Sequence, residues 1–172
     1  MKKYIIINGT MCAGKSAVGN RVTEKLGRAA FIDGDFVINM HPHIDYKETE
    51  SMQIDNILHM SKNYSDFNKC DYVVLSWIMG VEKANKIISE ISKMNFQIYH
   101  FVLTCSKKVL NQRWYEDAVN DWRTDENLNT AIELDTDLLE AFDNRSDCIV
   151  IDTSDLSIDM VAANIVTRIR TL

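Results

Sequence analysis

The sequence predicts a three-layer α/β fold in which a five-stranded parallel sheet is flanked by helices. Two observations lead to this prediction. Short runs of β-branched and aromatic residues alternate along the chain with longer stretches of helical apolar spacing, which is the order of elements in a parallel sheet. A glycine-containing segment, Gly9–Ser16, also stands between the first run and the first helical stretch.

Five short runs are the strand candidates. They are Tyr4–Asn8, Ala30–Asp33, Tyr72–Ser76, Gln97–Leu103 and Cys148–Asp152. The chain has 172 residues, of which 46% are hydrophobic, and no repeat or linker interrupts it. Such a chain can bury a core of ordinary size, so we expect one domain over residues 1–172, with a small helical lid at approximately 113–130.

Helical spacing is clearest in three places. Val18, Val22 and Leu26 share one face of the first helix. A long amphipathic helix before the third strand is indicated by Ile54, Ile57, Leu58, Tyr64 and Phe67, which leaves residues 36–50 as an irregular segment. Near the C-terminus, Ser157 is a plausible N-cap for a helix whose apolar stripe is Ile158, Val161, Ala162, Ile165 and Ile169.

The segment after the first strand has the pattern G-x-x-x-x-G-K-[ST] of a phosphate-binding P-loop. Gly9 and Gly14 let the backbone turn so that successive N–H groups and the helix N-terminus point at phosphate oxygens. Lys15 then reaches the β- and γ-phosphates, and the Ser16 hydroxyl coordinates Mg²⁺. The alternative is a glycine-containing turn with a surface lysine. The residues expected to hold ATP, or another nucleoside triphosphate, are Gly9, Thr10, Met11, Cys12, Ala13, Gly14, Lys15, Ser16 and Ala17.

The second strand ends in Asp33-Gly34-Asp35. Two carboxylates one residue apart, with a flexible glycine between them, can serve a metal-bound water and an acceptor hydroxyl at once. Phosphoryl transfer to an alcohol requires that combination. The alternative is an acidic turn at a strand end, because Asp and Gly are common turn residues.

A P-loop followed by a D-G-D strand end resembles the P-loop small-molecule kinases, such as gluconate, shikimate and adenylylsulfate kinases and chloramphenicol phosphotransferase. The resemblance covers most of the chain. It implies that Lys15 is catalytic, that Asp33 lies near the magnesium ion, and that Asp35 contacts the acceptor hydroxyl and acts as its base. The run Phe31–Phe36 with Asn39–Pro42 also looks like bacterial P-loop ATPases related to tunicamycin-resistance proteins, which keeps drug modification open.

The same resemblance assigns roles near the nucleotide base and the lid. Arg113 matches the arginine that lies against the adenine, and Thr153 and Ser154 match the loop that holds the base. Arg123 is the candidate lid arginine that closes on the transferring phosphoryl group, where positive charge offsets the charge on its oxygens. An exposed surface arginine is an equally good interpretation of Arg123.

We expect the segments that follow the second and third strands to form the acceptor site. Its predicted residues are Asp35, Asn39, His41, Trp77 and Met79. A buried aromatic packed on a helix is an equal account of Trp77. No arginine stands between Asp35 and Trp77 to hold a shikimate carboxylate, and the polar residues there suit hydroxyls, amines or a base.

Composition narrows the partners. The formal net charge is −6, and no basic run is longer than Lys107-Lys108, so we expect no contact with nucleic acid or membrane lipid. The apolar stretches are short and no signal peptide is visible, so we expect a cytoplasmic protein, as a monomer or homodimer.

Two main hypotheses for function stay open from the sequence, beside a third in which the protein is specific for guanine nucleotides. The first is an ATP-dependent phosphotransferase that moves the γ-phosphate to a hydroxyl of a small molecule. The alternative is an ATP-binding switch, ATPase or drug-sequestering protein without an acceptor, which the lack of an aspartate at Ser76, the end of the third strand, supports.

Overall fold

The computed structural model describes residues 1–42, 44–116 and 124–171. Within these ranges the strands are β1 Lys2–Gly9, β2 Ala29–Asp33, β3 Tyr72–Ser76, β4 Phe96–Thr104 and β5 Ile149–Asp152. The α-helices there are α1 Lys15–Leu26, α2 Tyr46–Asp66, α3 Val81–Ser92, α4 Lys107–Glu116, α5 Asp125–Phe142 and α6 Ile158–Thr171. A 3₁₀ turn spans Gly34–Phe36. All five predicted strands are present near their predicted bounds.

The strands form one parallel sheet in the order β2-β3-β1-β4-β5. The predicted five-stranded α/β fold is therefore confirmed. β1 lies at the centre, and its residues Tyr4–Ile7 are fully buried because helices cover both faces of the sheet. Burial on both sides explains why the β1 sequence is continuously apolar instead of alternating. Since all strands run in one direction, the segments that follow β1, β2 and β3 meet at one edge.

Two apolar cores lie on opposite faces of the sheet. On one face, β-strand residues such as Ile6 and Leu75 pack with side chains of α2, α3 and α5. On the other, Ile7, Val74 and Phe101 pack with α1 and α6. The face that a strand residue occupies alternates along the strand, so the register decides which side of the sheet each site residue reaches.

The predicted terminal helix has the expected cap, because the Ser157 Oγ accepts a hydrogen bond from the Met160 N–H at 3.3 Å. Its stripe is buried except for Ile158, which is exposed. The irregular segment is shorter than predicted, since α2 begins at Tyr46 with Asp45 as its N-cap. The Asp45 carboxylate accepts the Lys47 N–H at 2.8 Å, a capping signal that the polar composition of the segment concealed.

The central part of the predicted lid, residues 117–123, lies outside the described residues. α4 ends at Glu116 and α5 begins at Asp125, so Arg123 lies outside the described residues. The assignment of residues 1–172 to one domain stays a prediction. None of the helices within the described ranges is long and apolar enough to span a bilayer.

Candidate active site

The P-loop backbone adopts conformations that favour glycine. The φ angles of Gly9, Cys12 and Gly14 are 148°, 59° and 95°. A Cβ added at Gly9 would lie 2.5 Å from the Leu103 carbonyl oxygen on β4, so only glycine fits that position. The turn is closed by the Ala13 N–H, which donates to the Thr10 carbonyl at 3.3 Å. The sequence therefore produces the predicted link from β1 into α1.

The N-terminus of α1 has no side-chain cap. Its N-cap is Gly14, and no acidic residue occupies the first turn. By contrast, α2 and α5 are capped by the side chains of Asp45 and Thr124. The first N–H groups of a helix have no intrahelical acceptor, and the helix dipole makes that end positive. This end of α1 thus fits a phosphate group.

Lys15 is buried at the start of the same helix, where its side chain is directed back along the loop. Its Nζ donates to the Thr10 carbonyl at 2.9 Å, and the residue is only 7% exposed. Burial lowers the pKa of Lys15, while the fields of Asp35 and Asp33 act in the opposite direction. A buried ammonium group is stabilised by nearby negatively charged oxygens, so the position of Lys15 suits contact with a phosphate group.

Side chains of the loop residues after Gly9 pack away from the expected phosphate position. The Thr10 hydroxyl donates to the Ala131 carbonyl of α5 at 2.8 Å. Met11 and Cys12 pack against a small apolar cluster that includes Leu110 of α4. Residues 10–12 therefore have their backbone groups, not their side chains, available for phosphate.

Asp33 lies on the α1 side of the sheet. It pairs in register with Ser76 and follows Phe31, which packs in the core beneath α1. Its Oδ1 accepts the Asp35 N–H at 3.1 Å and so caps the 3₁₀ turn. The Ser76 hydroxyl is buried and has no hydrogen-bond partner within the parts of the chain that the structure describes. The register therefore gives Asp33 and Ser76 the same face as Ser16.

Ser16 and Asp33 could bind a magnesium ion whose remaining ligands are water molecules and phosphate oxygens. Among the described residues, no group of three or more His, Cys, Asp or Glu side chains is placed to hold a metal by itself. Mg²⁺ is commonly bound through one or two protein ligands, with waters and substrate phosphates completing the shell. Ser16 and Asp33 match that sparse donor set.

Asp35 is two residues further along and faces the opposite way, into a cavity of about 860 Å³. Burial of its carboxylate is the largest effect on the pKa of Asp35 and raises it, although part of the residue is exposed to solvent. The field of Lys15 lowers that pKa, Asp33 raises it, and Lys83 and a hydrogen bond from the Trp77 indole lower it. Asp35 is thus near the P-loop lysine and also lines the cavity.

Trp77 is both a core residue and part of the cavity wall, and its predicted contact with an acceptor stays a prediction. Its side chain is 2% exposed and lines the cavity beside Asp35. A Cβ added at Gly34 would lie 2.2 Å from the Trp77 Cγ, so the indole packs directly on the Gly34 backbone. Glycine at position 34 is required by this close approach.

Met79 corrects one sequence prediction. Its side chain is fully buried in the core and lines neither cavity of the site. Its backbone instead pairs with the Asn8 amide, which donates to the Met79 carbonyl at 2.7 Å and accepts the Met79 N–H at 2.8 Å. Met79 is therefore a core residue and not an acceptor contact, because Asn8 fixes the segment after β3 with that side chain inward.

Asn39 and His41 have different surroundings. A smaller cavity of about 160 Å³ is lined by Asn39 together with Asp35 and Gln53, so Asn39 lies near Asp35. His41 is exposed, precedes Pro42 through a cis peptide bond, and lines neither cavity. Its predicted contact with the acceptor is therefore not part of the described site.

The sequence missed three polar residues of the larger cavity: Glu50, Gln53 and Lys83. Glu50 and Gln53 lie one turn apart on α2, in a region that the sequence had partly assigned to a loop. Lys83 lies in the first turn of α3 and looks like an ordinary surface lysine in the sequence. An earlier start for α2, read from Asp45 and Glu48, would have revealed the first two.

The predicted base-binding residues lie together beyond β4 and β5. Arg113 donates from Nη1 to the Thr153 hydroxyl at 3.0 Å and from Nη2 to the Thr153 carbonyl at 2.8 Å. The Thr153 hydroxyl donates to the Thr104 carbonyl at 3.0 Å, and the Ser106 N–H donates to the Ser154 hydroxyl at 2.8 Å. These bonds fix Arg113 against the loop after β5.

A buried carboxylate on α5 supports the end of β4. Oδ2 of Asp135 accepts the Thr104 hydroxyl at 2.8 Å, whereas its Oδ1 has no hydrogen-bond partner among residues 1–42, 44–116 and 124–171. Burial raises the pKa of Asp135, and the hydrogen bond from Thr104 partly opposes this. Nothing in the local sequence distinguishes Asp135 from the exposed acids around it on α5.

Comparison with known proteins identifies the family. The chain belongs to the AAA domain family, whose model matches residues 5–134. No curated protein matches the chain.

Solved structures share its fold over nearly the whole length. A tunicamycin resistance protein from Deinococcus radiodurans is similar with a TM-score of 0.71 and 17% identity, over 98% of this chain and 96% of that one. A gluconokinase from Sinorhizobium meliloti 1021 has a TM-score of 0.65 and 18% identity, over 98% and 96%. A shikimate kinase from Aquifex aeolicus has a TM-score of 0.61 and 16% identity, over 98% and 96%. The resemblance to P-loop small-molecule kinases is confirmed, and at these identities the likeness shows the fold alone.

Proposed function

We propose that this AAA-domain protein is a Mg²⁺-dependent phosphotransferase that moves the γ-phosphate of ATP to a hydroxyl of a small molecule. One observation carries the proposal, namely the position of Asp35. Its carboxylate lies in the field of the P-loop lysine Lys15 and also lines the 860 Å³ cavity. A protein that only bound the nucleotide would not need this carboxylate, and one that only hydrolysed it would not need the carboxylate to line a cavity of this size.

The nucleotide half of the site is formed by residues of the loop and of α1. The loop amides and Lys15 neutralise the phosphates, and Ser16 and Asp33 would hold the metal. When bound, Mg²⁺ offsets the negative charge that develops on the phosphate oxygens. Arg113, Thr153 and Ser154 would hold the base, and we propose Arg123 as the lid cation.

In the transfer step, the acceptor hydroxyl oxygen forms a bond to the γ-phosphorus while the bond to the β–γ bridging oxygen breaks and ADP leaves. The hydroxyl proton passes to Asp35. Burial raises the pKa of Asp35, which makes its carboxylate a stronger base, while the Trp77 indole and Lys83 favour its ionised form. Trp77 and Lys83 therefore assist Asp35, and Asp35 itself takes the proton.

The test compares Asp35→Asn with the wild-type protein. We expect the dissociation constant for ATP to change little, whereas phosphoryl transfer falls by ~10² or more. Asp55→Asn is the matched control, because Asp55 is an exposed carboxylate on α2 outside the cavity. Equal losses of nucleotide binding and turnover in Asp35→Asn would refute the assigned role.

The acceptor is sought by incubating the protein with ATP and a panel of nucleosides, sugars, aminoglycosides and other hydroxylated drugs. A new phosphorylated mass and a matching release of ADP would identify it. Thermal shifts with ATP and with GTP, measured side by side, would establish which base is preferred.

A second candidate function is an ATP-binding or ATP-hydrolysing protein that sequesters a drug. Two observations favour it: β3 ends in Ser76 and not in a carboxylate, and one structural neighbour is a tunicamycin resistance protein. This candidate predicts slow ADP release that no acceptor accelerates. Failure of the whole panel to stimulate ADP release would favour it over the phosphotransferase.

A further inference from the structure

The inward-facing lysine of the large cavity is already paired. The Lys83 Nζ lies 2.7 Å from Glu50 Oε1, and the Lys83 side chain is 14% exposed. The Tyr46 hydroxyl contacts both groups. The ammonium also lies 4.4 Å from the centroid of the Trp77 ring and 4.5 Å from that of Tyr46. The hydrogen bond from Lys83 is the largest effect on the pKa of Glu50 and lowers it, so this carboxylate is ionised at neutral pH.

The charged side chains of the cavity wall have a net negative charge. Carboxylates outnumber ammonium groups, because Asp35, Glu50 and Glu82 line the cavity with Lys83 and Lys86. Lys86 is exposed at the rim and lies in the field of Glu50. Glu82 stands in the first turn of α3, where its charge offsets the positive end of that helix.

One uncharged group of the wall lacks a partner. Gln53 lies one turn after Glu50 on α2, and its buried Oε1 has no hydrogen-bond partner in the described ranges of the chain. A buried acceptor without a hydrogen bond is unfavourable, and a ligand that donates an O–H or N–H to it would remove that cost. Ile54, Ile78 and Leu134 supply apolar surface beside it.

On the basis of the proposed phosphotransferase function, we infer that the acceptor is an alcohol without a carboxylate or phosphate, either neutral or amine-bearing, and that Glu50 sets this specificity. Glu50 does so by occupying Lys83, the lysine that would otherwise attract an anionic acceptor. The unpaired Gln53 oxygen then takes a donor from the acceptor, and the apolar residues contact its carbon frame. Glu50 is a specificity-determining residue and takes no part in the transfer step.

Three probes of similar size and shape that carry a negative, a neutral and a positive group test the inference: para-hydroxymethyl benzoate, the corresponding benzamide and the corresponding benzylamine. Their dissociation constants are measured by NMR titration with a non-hydrolysable ATP analogue present. We expect the wild-type protein to bind the amide and the amine at least about tenfold more tightly than the carboxylate. In Glu50→Gln, which frees Lys83, we expect carboxylate binding to strengthen by about tenfold while amide binding changes little.

Glu48→Gln is the control, because it removes one exposed carboxylate from α2 outside the cavity and so tests the effect of net charge alone. The inference is overturned if the wild-type protein binds the carboxylate as tightly as the amide, if it binds none of the probes, or if Glu50→Gln and Glu48→Gln behave alike. Transfer is followed separately as phosphorylated product with ATP. The expected charge order without any product would support the specificity of the cavity and count against the proposed transfer.

Discussion

Substitution of Gly34 by alanine should displace the wall of the acceptor cavity. The added Cβ would lie 2.2, 2.4 and 2.7 Å from Cγ, Cδ1 and Cβ of Trp77. These atoms are the root of a side chain that is 2% exposed, so a small rotation cannot relieve the contact. Gly34 lies outside the left-handed region of φ, and the steric clash is therefore the only obstacle to alanine.

The size of the effect follows from two opposing contributions. Overpacking of a well-filled core costs about 1–3 kcal/mol. Alanine restores about 0.4–1 kcal/mol by restricting the unfolded chain. We expect Gly34→Ala to lower the free energy of unfolding by about 1–2 kcal/mol.

Urea denaturation of Gly34→Ala, of Trp77→Leu and of the double variant would measure this. Because leucine removes the ring that the new Cβ meets, the double variant should lose at least 1 kcal/mol less than the sum of the single losses, roughly the overpacking term. Gly80→Ala is the control, since a Cβ there meets no heavy atom within 4 Å. A Gly34→Ala protein as stable as Gly80→Ala, or strict additivity in the cycle, would refute the packing argument.

Three further predictions concern titration and buried hydrogen bonds. Burial raises the pKa of Asp35, and the ionised carboxylate is the base, so the acidic limb of the pH profile of kcat should lie above the ordinary aspartate range. Lys83→Met should move this limb to still higher pH, because Lys83 lowers the pKa of Asp35. A limb that does not move would exclude Asp35 as the titrating group. Burial also raises the pKa of Asp135, so the folded state binds this proton more tightly than the unfolded chain, and wild-type stability falls as the pH rises through the raised value. Asp135→Asn should therefore be more stable than the wild type at about pH 8 in urea denaturation, with the difference shrinking toward about pH 4, whereas a constant difference would contradict this. Asn8→Leu removes three buried hydrogen bonds of 2.7, 2.8 and 2.8 Å to Met79 and Gly9, and should lower the free energy of unfolding by about 3 kcal/mol or more. The control is Asn129→Leu, an exposed position where we expect a small change. Similar melting temperatures for the two variants would contradict the structural role of the Asn8 hydrogen bonds.

The strands were predictable because central strands of a parallel sheet are buried on both faces. Ile5, Ile6 and Ile7 of β1 must all be apolar, and that requirement is visible in consecutive residues. The P-loop was predictable for a similar reason. Its glycines, Lys15 and Ser16 act through backbone groups and side chains within eight consecutive residues, so a local pattern contains almost the whole requirement.

Helix α2 shows where local patterns were insufficient. Its first buried apolar residue is Ile54, eight positions after the start at Tyr46, so apolar spacing alone placed the start too late. That error concealed Glu50 and placed the acceptor region in a loop that is shorter in the structure. The cap at Asp45 marks the true start, but one capping residue among many polar ones is a weak signal.

By itself, the sequence determined the fold class, the strand positions, the P-loop and the two carboxylates at the end of β2, because each of these depends on residues that are neighbours in the chain. Tertiary structure alone decided which face each of them reaches and what the acceptor cavity contains. It set Asp33 toward α1 and Asp35 toward the cavity, and it moved Met79 into the core. It also joined Glu50 of α2 to Lys83 of α3, a contact between residues more than thirty positions apart that no local spacing encodes. Such contacts arise only when separate helices pack on one face of the sheet, and for that reason the acceptor side became visible only in the folded chain.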